Sequence, residues 1–211
     1  MPRRPQADPD TEKFLKEWVT TEVLGGFTKQ KLLFEYIDER TEDEGAPELA
    51  PKLRKYARDL YAKRKAQEAK WKGPTMNDRI DAAFHDLGHA GIIAMQNAGY
   101  TMSEGWEDCN AEASELDEIG ERPRGATFYH GQDLERGVED EGLMLVYGAY
   151  EDDDKKHDAA SIAIAREVIA MLTRYGVKTK WNGKVETRVE IRPFKWQKRQ
   201  FTKSPKVTPK K

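Results

Sequence analysis

Along residues 11–90 the apolar positions recur at steps of three and four, the spacing of one buried helix face. Phe14, Leu15, Trp18, Val19 and Leu24 predict a helix over 11–24, with Asp10 or Thr11 as its cap and Gly25-Gly26 as its stop. A second helix opens at Thr28 and turns Leu32, Leu33, Tyr36 and Ile37 inward; the TEDEGAP stretch ends it. A third covers 48–71 with Leu49, Leu53, Tyr56, Leu60 and Tyr61 as its periodic set. Gly73-Pro74 breaks it, and Asn77 or Asp78 caps a fourth carrying Ile80, Ala83, Phe84 and Leu87.

The period then changes. GIIAMQN (91–97) reads as a strand, 103–119 as a helix with Trp106, Cys109, Ala113 and Leu116 inward, and ATFYH (126–130) as a second strand. Asp133 caps a short helix, LERGVED. GLMLVY (142–147) is the clearest buried strand, and the helix from Asp158 buries Ile162, Ala165, Val168, Ile169 and Leu172. Asn182-Gly183, between 177–181 and 185–191, is a strong hairpin signal.

These elements predict an α+β protein. A helical module occupies 11–90, and a ferredoxin-like β-α-β-β-α-β domain with a terminal hairpin occupies 91–197. The proline-punctuated ends, residues 1–10 and 198–211, are expected to be disordered, the second as a basic tail.

The chain has 211 residues, enough for one domain with an appendage or two small ones. Its 37% hydrophobic and 35% charged content require helix faces that carry much charge. Lys and Arg total 36 against 38 Asp and Glu, which excludes a uniformly basic nucleic-acid coat or a uniformly acidic mimic but not segregation. Segregation is what the order shows: residues 104–154 hold seventeen acids and three arginines, while 51–72 hold nine cations and two acids. From Lys195 onward seven cations follow with no acid. Solvated or mutually docked helix faces would account for such runs; so would an acidic face for a basic partner.

Cys109 alone excludes an intramolecular disulfide and a cysteine knuckle, and its place on an apolar face fits an inert thiol. The N-terminal residues lack the apolar stretch of a secretory signal, and no run reaches the roughly 20 apolar residues that cross a bilayer, so a cytoplasmic protein with no membrane association is expected.

Candidate chemistry is sparse. His85 and His89 stand four apart but lack the HExxH order, so no metal site is expected, and no cofactor. The EDDD run at 151–154 lacks the spacing of a calcium loop. Walker, GxGxxG and GxSxG motifs are absent. The densest polar cluster is FYHGQDLER, where His130, Asp133 and Arg136 could form an acid–base set, although caps and turns explain the same residues. Glu112, Glu115 and Glu118, with Gln132 and Glu135, are the candidate protein-binding residues. Lys63, Arg64, Lys65, Lys198 and Arg199 are candidates for weak, salt-sensitive nucleic-acid contact, with Phe194, Trp196 and Phe201 able either to stack on bases or to dock on the sheet.

The phrases NDRIDAAF, GIIAMQNAGY, FYHGQDLERGV, GLMLVYGA, IAREVIAML and KWNGKVETRVEI together resemble an uncharacterised bacterial family of unknown function. The resemblance runs from Thr11 to Gln197 and names no reaction. It implies a cysteine-rich stretch after GIIAMQN; this chain has AGYTMSEG there, without cysteine. More remotely, the layout of the second half is similar to regulator of ribonuclease activity B, an acidic ferredoxin-like inhibitor, an analogy that does not fix function. Charge and resemblance together give the expectation of a non-enzymatic regulatory protein that binds an unidentified protein partner through its acidic half. An enzyme acting at His130, Asp133 and Arg136 is the first alternative, and a weak nucleic-acid binder the second.

Overall fold

The computed structural model describes residues 8–210; the N-terminal segment expected to be disordered lies outside them as far as residue 7. Two compact units divide the chain: one runs to Lys72 and takes in Lys198–Lys203, the other comprises Gly73–Gln197 and the residues after Lys203. The boundary therefore precedes the fourth helix, whereas the sequence pattern groups that helix with the first three.

The helical unit contains α1 (Pro9–Gly25), α2 (Gln30–Asp43) and α3 (Ala50–Glu68), with a 3₁₀ turn Pro47–Leu49 leading into α3. Helix α1 starts two residues earlier than expected because Asp8 caps it, accepting the Asp10 amide, and Pro9 suits the first turn. Leu15, Val19, Val23, Leu33, Ile37, Leu53, Ala57 and Tyr61 form its core. Three residues expected inside, Phe14, Leu32 and Tyr36, are exposed; the Arg40 guanidinium lies over the Phe14 and Trp18 rings instead.

The second unit contains α4 (Met76–His89), β1 (Ile92–Gln96), α5 (Met102–Glu118), β2 (Gly125–Tyr129), α6 (Gly131–Val138), β3 (Leu143–Ala149), α7 (Asp154–Arg174), β4 (Thr179–Lys180) and β5 (Val189–Ile191). The sheet order is β1-β2-β3-β5-β4. Strand β2 is parallel to β1 and antiparallel to β3, and β5 is antiparallel to both β3 and β4.

The α+β class holds, but the layout is not the expected ferredoxin-like one. A split β-α-β unit leaves a strand between its two parallel strands, whereas here β1 and β2 pair directly. The reason is legible in burial: every residue of β2 is buried, so both sheet faces need cover. Helix α5 packs Trp106, Cys109, Ala113 and Leu116 over Ile93, Met95, Ala126, Phe128 and Val146. On the opposite face α4 and α7 cover Ile92, Leu143, Leu145, Val189 and Ile191.

The Asn-Gly hairpin is also different. Lys180 pairs with Glu190, so residues 181–188 form a wider loop. The Tyr147 hydroxyl gathers it, with the Lys184 and Thr187 carbonyls at 3.0 and 2.9 Å, and Trp181 Nε1 donates to Tyr147 Oη at 3.1 Å.

The residues after β5, including part of the expected disordered tail at 198–211, are bonded as well. Phe194 and Trp196 are buried in the sheet unit's core, and Phe201 meets Tyr61 edge-on at 6.2 Å. Phe194 and Trp196 thus dock on the sheet, whereas Phe201 stays exposed beside the helical unit.

Candidate functional site

Strands β1 and β2 run parallel and end at one side of the sheet, where the loop before α5 meets the N-terminus of α6. Gly99 adopts φ +54° there, and a Cβ on it would collide with Glu104. That freedom lets the loop lie against α6: the Gly131 amide donates to the Gly99 carbonyl at 3.0 Å and the Gln132 amide to the Tyr100 carbonyl at 3.2 Å. The first-turn donors of α6 are thereby taken up by the protein itself.

His130 follows β2 directly and caps α6, which begins three residues before the expected start; Asp133 is the third helical residue, not the cap. The structure brings His130 and Asp133 together, with His130 Nε2 at 3.0 Å from Asp133 Oδ2. It does not bring Arg136 to them. Arg136 is exposed and lies 3.8 Å from Glu141. The third member is Arg188, just before β5, whose Nη1 reaches Asp133 Oδ1 and Oδ2 at 3.0 and 2.9 Å and lies 3.2 Å from His130 Nε2. Strand alternation held the signal for Arg188: Val189 and Ile191 point into one face, so Arg188 and Glu190 belong to the other.

His130 is 4% exposed and Asp133 1%, while the Arg188 side chain keeps 30% of its surface. Burial, the largest influence, and the Arg188 guanidinium hold the imidazole below its ordinary value of 6.5, against the pull of Asp133 and the Tyr100 backbone. His130 Nδ1 is buried without a well-aligned hydrogen bond. A neutral imidazole between a carboxylate and a guanidinium ties α6 to β5, with only the outer part of Arg188 reaching solvent.

The pH consequence has a definite sign. A histidine whose folded pKa is lowered takes up its proton more readily in the unfolded chain. Its contribution is therefore complete above about 6.5 and is lost as pH falls towards the lowered folded value. Thermal unfolding followed across that interval should show a falling Tm in the wild type and a flatter profile in His130→Gln.

The other residues singled out in the sequence fall into two groups. Glu112, Glu115 and Glu118 lie on the outer side of α5, all exposed. Among the described residues none of them forms an ion pair. Asp108 and Glu104 on the same helix are occupied: Asp108 accepts the Gly99 amide at 2.7 Å, and Glu104 accepts the Tyr100 and Thr101 amides at 2.8 Å. Those backbone bonds keep the Glu104 carboxyl below its usual range. Gln132 is exposed, whereas Glu135 is half-buried and accepts the Tyr100 hydroxyl at 3.3 Å. Cys109 is buried, its thiol pushed up to about 12 chiefly by desolvation, with Asp108 and Glu112 adding to the shift.

The basic candidates are divided. Lys63 and Lys65 face outward, but Arg64 is 6% exposed, with Nη2 donating to the Leu24 and Lys198 carbonyls and its guanidinium over Trp71. Lys198 Nζ lies over Phe27, and Arg199 lies over Trp71 while donating to Thr202 Oγ1 at 2.9 Å. Their anchor, missed in the sequence, is Glu68 at the end of α3. Its carboxylate receives the amides of Gln200 at 3.0 Å, Phe201 at 3.0 Å and Thr202 at 2.6 Å, together with the Thr202 hydroxyl. Desolvation pushes its pKa upward, but the Thr202 side chain and the three amides outweigh that and hold it low. No helix of the described residues is long and apolar enough to cross a membrane.

Fold and site together define a two-unit α+β protein whose charged residues separate into bonded clusters and an unpaired acidic helix face. A family model described as a domain of unknown function, DUF6891, matches residues 8–200, and the chain belongs to that family. Neither the curated proteins nor the solved structures contain a match.

Proposed function

We propose that this protein is a non-enzymatic binding protein that engages a basic protein partner through the outer face of α5. The observation that carries it is that Glu112, Glu115 and Glu118, all exposed, have no cation paired with them among the described residues. Like charges three and four apart weaken an isolated helix by about 0.2–0.5 kcal/mol per pair. The helix retains that cost, and a basic partner would reverse it. On α3, Lys52 pairs with Glu12 at 2.7 Å and Arg54 with Asp38, while Lys55, Lys63 and Lys65 are exposed without an ion pair among the described residues.

The proposal keeps the acidic character of the analogy with regulator of ribonuclease activity B and drops its sheet layout, since β1 and β2 pair directly. Association would be accelerated by charge and weakened by salt. Charge reversal tests it: a Glu112→Lys, Glu115→Lys, Glu118→Lys chain should lose at least about tenfold in affinity for a basic partner. Unchanged capture by the reversed chain would count against the proposal.

A further inference from the structure

Strand β1 is an edge of the sheet, paired only with β2. Alternate backbone groups along such an edge point away from its neighbour and remain available for another strand. Proteins guard edges of this kind with charges, prolines or a covering element. Ile92–Gln96, sequence IIAMQ, carries no charge and no proline. A groove of about 450 Å³ runs beside it, within the size range of ligand-binding clefts. Phe84 of α4 and Leu116 of α5 flank it, Ile93 and Met95 line the strand side, and Glu112 and Glu121 stand at its rim. The rim's guanidinium, Arg122, lies 3.6 Å from Asp152.

We infer that this groove takes an extended segment of a partner protein as an added strand on β1, a segment alternating apolar side chains with Lys or Arg. The inference rests on the proposed role of α5 and specifies the partner's chemistry and conformation. Backbone pairing supplies affinity in this mode, and side-chain pockets supply selectivity. Apolar side chains fill the space between Phe84, Met95 and Leu116, while cations reach Glu112 and Glu121.

Charge decides against a second copy as the occupant. Antiparallel pairing of β1 with its own copy, about a two-fold axis normal to the sheet, keeps like faces together and sets α5 beside α5. Glu112, Glu115 and Glu118 of each chain would then confront those of the other, a costly juxtaposition. A basic strand removes that repulsion.

The test uses the full chain and two synthetic peptides of about nine residues, long enough to span a strand of ordinary length. One alternates Val and Lys; the other has the same sequence with alternate backbone nitrogens methylated, which preserves charge and side chains but prevents ladder formation. Affinity is measured by titration, and protection of the β1 amides by hydrogen exchange. The unmodified peptide should bind, slow exchange within 92–96, and exceed the methylated one by at least about tenfold, as expected for two or more lost hydrogen bonds. Equal binding of both peptides without added β1 protection overturns strand addition while leaving the acidic surface intact, provided the charge-reversed chain binds both less well. Equal affinity of the wild-type and charge-reversed chains, with β1 still protected, removes the acidic surface and retains strand addition. Failure to bind either peptide, or protection of β1 through self-association alone, overturns the inference.

Discussion

Replacing Glu68 with alanine is expected to release residues 198–203 from the helical unit and to cost about 3 kcal/mol of its stability. The carboxylate is 1% exposed and receives three backbone amides and a hydroxyl from one short segment. Hydrogen bonds to a charged group each contribute roughly 1.5–3 kcal/mol when their loss strands a partner. The sum is smaller here because Phe201 and Thr202 are exposed and their amides can turn to water. Glu68→Gln should fall between wild type and alanine, since it keeps the volume and one acceptor. The lowered Glu68 pKa places the pH dependence: its contribution is full above about 4.5 and disappears as pH falls through the lower folded value. Hydrogen exchange at Gln200, Phe201 and Thr202 reports the release directly. Unchanged protection in Glu68→Ala would show that Arg64 and the ring contacts hold the segment without it.

The second large effect is expected at Arg188. Arg188→Met keeps much of the aliphatic volume and leaves the Asp133 carboxylate, 1% exposed, beside His130 alone. Removing one partner of a buried pair costs about 3–5 kcal/mol, because the remaining charge stays desolvated. The imidazole should respond. With the guanidinium gone and the carboxylate uncompensated, two influences that now oppose each other both favour the proton on His130. Its pKa should rise, which NMR titration of the ring resolves. A double variant with Asp133→Asn should recover part of the lost stability, a non-additivity that marks a coupled pair. A lowered His130 pKa in Arg188→Met would contradict this account of the cluster.

How much of this could be read from the chain depends on the kind of signal. Amphipathic periodicity located the helices, and the apolar runs GIIAMQN, ATFYH and GLMLVY located β1, β2 and β3 within two residues. Pairing order was less legible, because adjacent and split β-α-β units share the same element string. The burial of both faces of GATFY distinguishes them, and that requires knowing which helix covers which face. Local chemistry misled at Asn182-Gly183, where Tyr147, far away in sequence, gathers the loop carbonyls. It misled again at Arg136, the nearest arginine in sequence to His130 and Asp133, when the partner is Arg188, just before β5. The tail reads as loose because it has little to bury; one carboxylate at the end of a cation-rich helix gathers residues 200–202, Val207 packs on the sheet unit's core, and the Lys210 amide donates to the Arg174 carbonyl. Composition weighs that acid against its neighbours, but only geometry shows four donors converging on it.

If the exposed acidic face of α5 receives a basic partner, a basic probe should map onto that face of the protein. Hexalysine titrated into the isotope-labelled full chain, followed by amide NMR, should shift residues around Glu112, Glu115 and Glu118 and the adjoining rim of β1. Those shifts should fade in about 1 M salt, where the Debye length is near 3 Å, and be absent in the charge-reversed chain. Shifts centred elsewhere, or equal shifts in both chains, would contradict the claim.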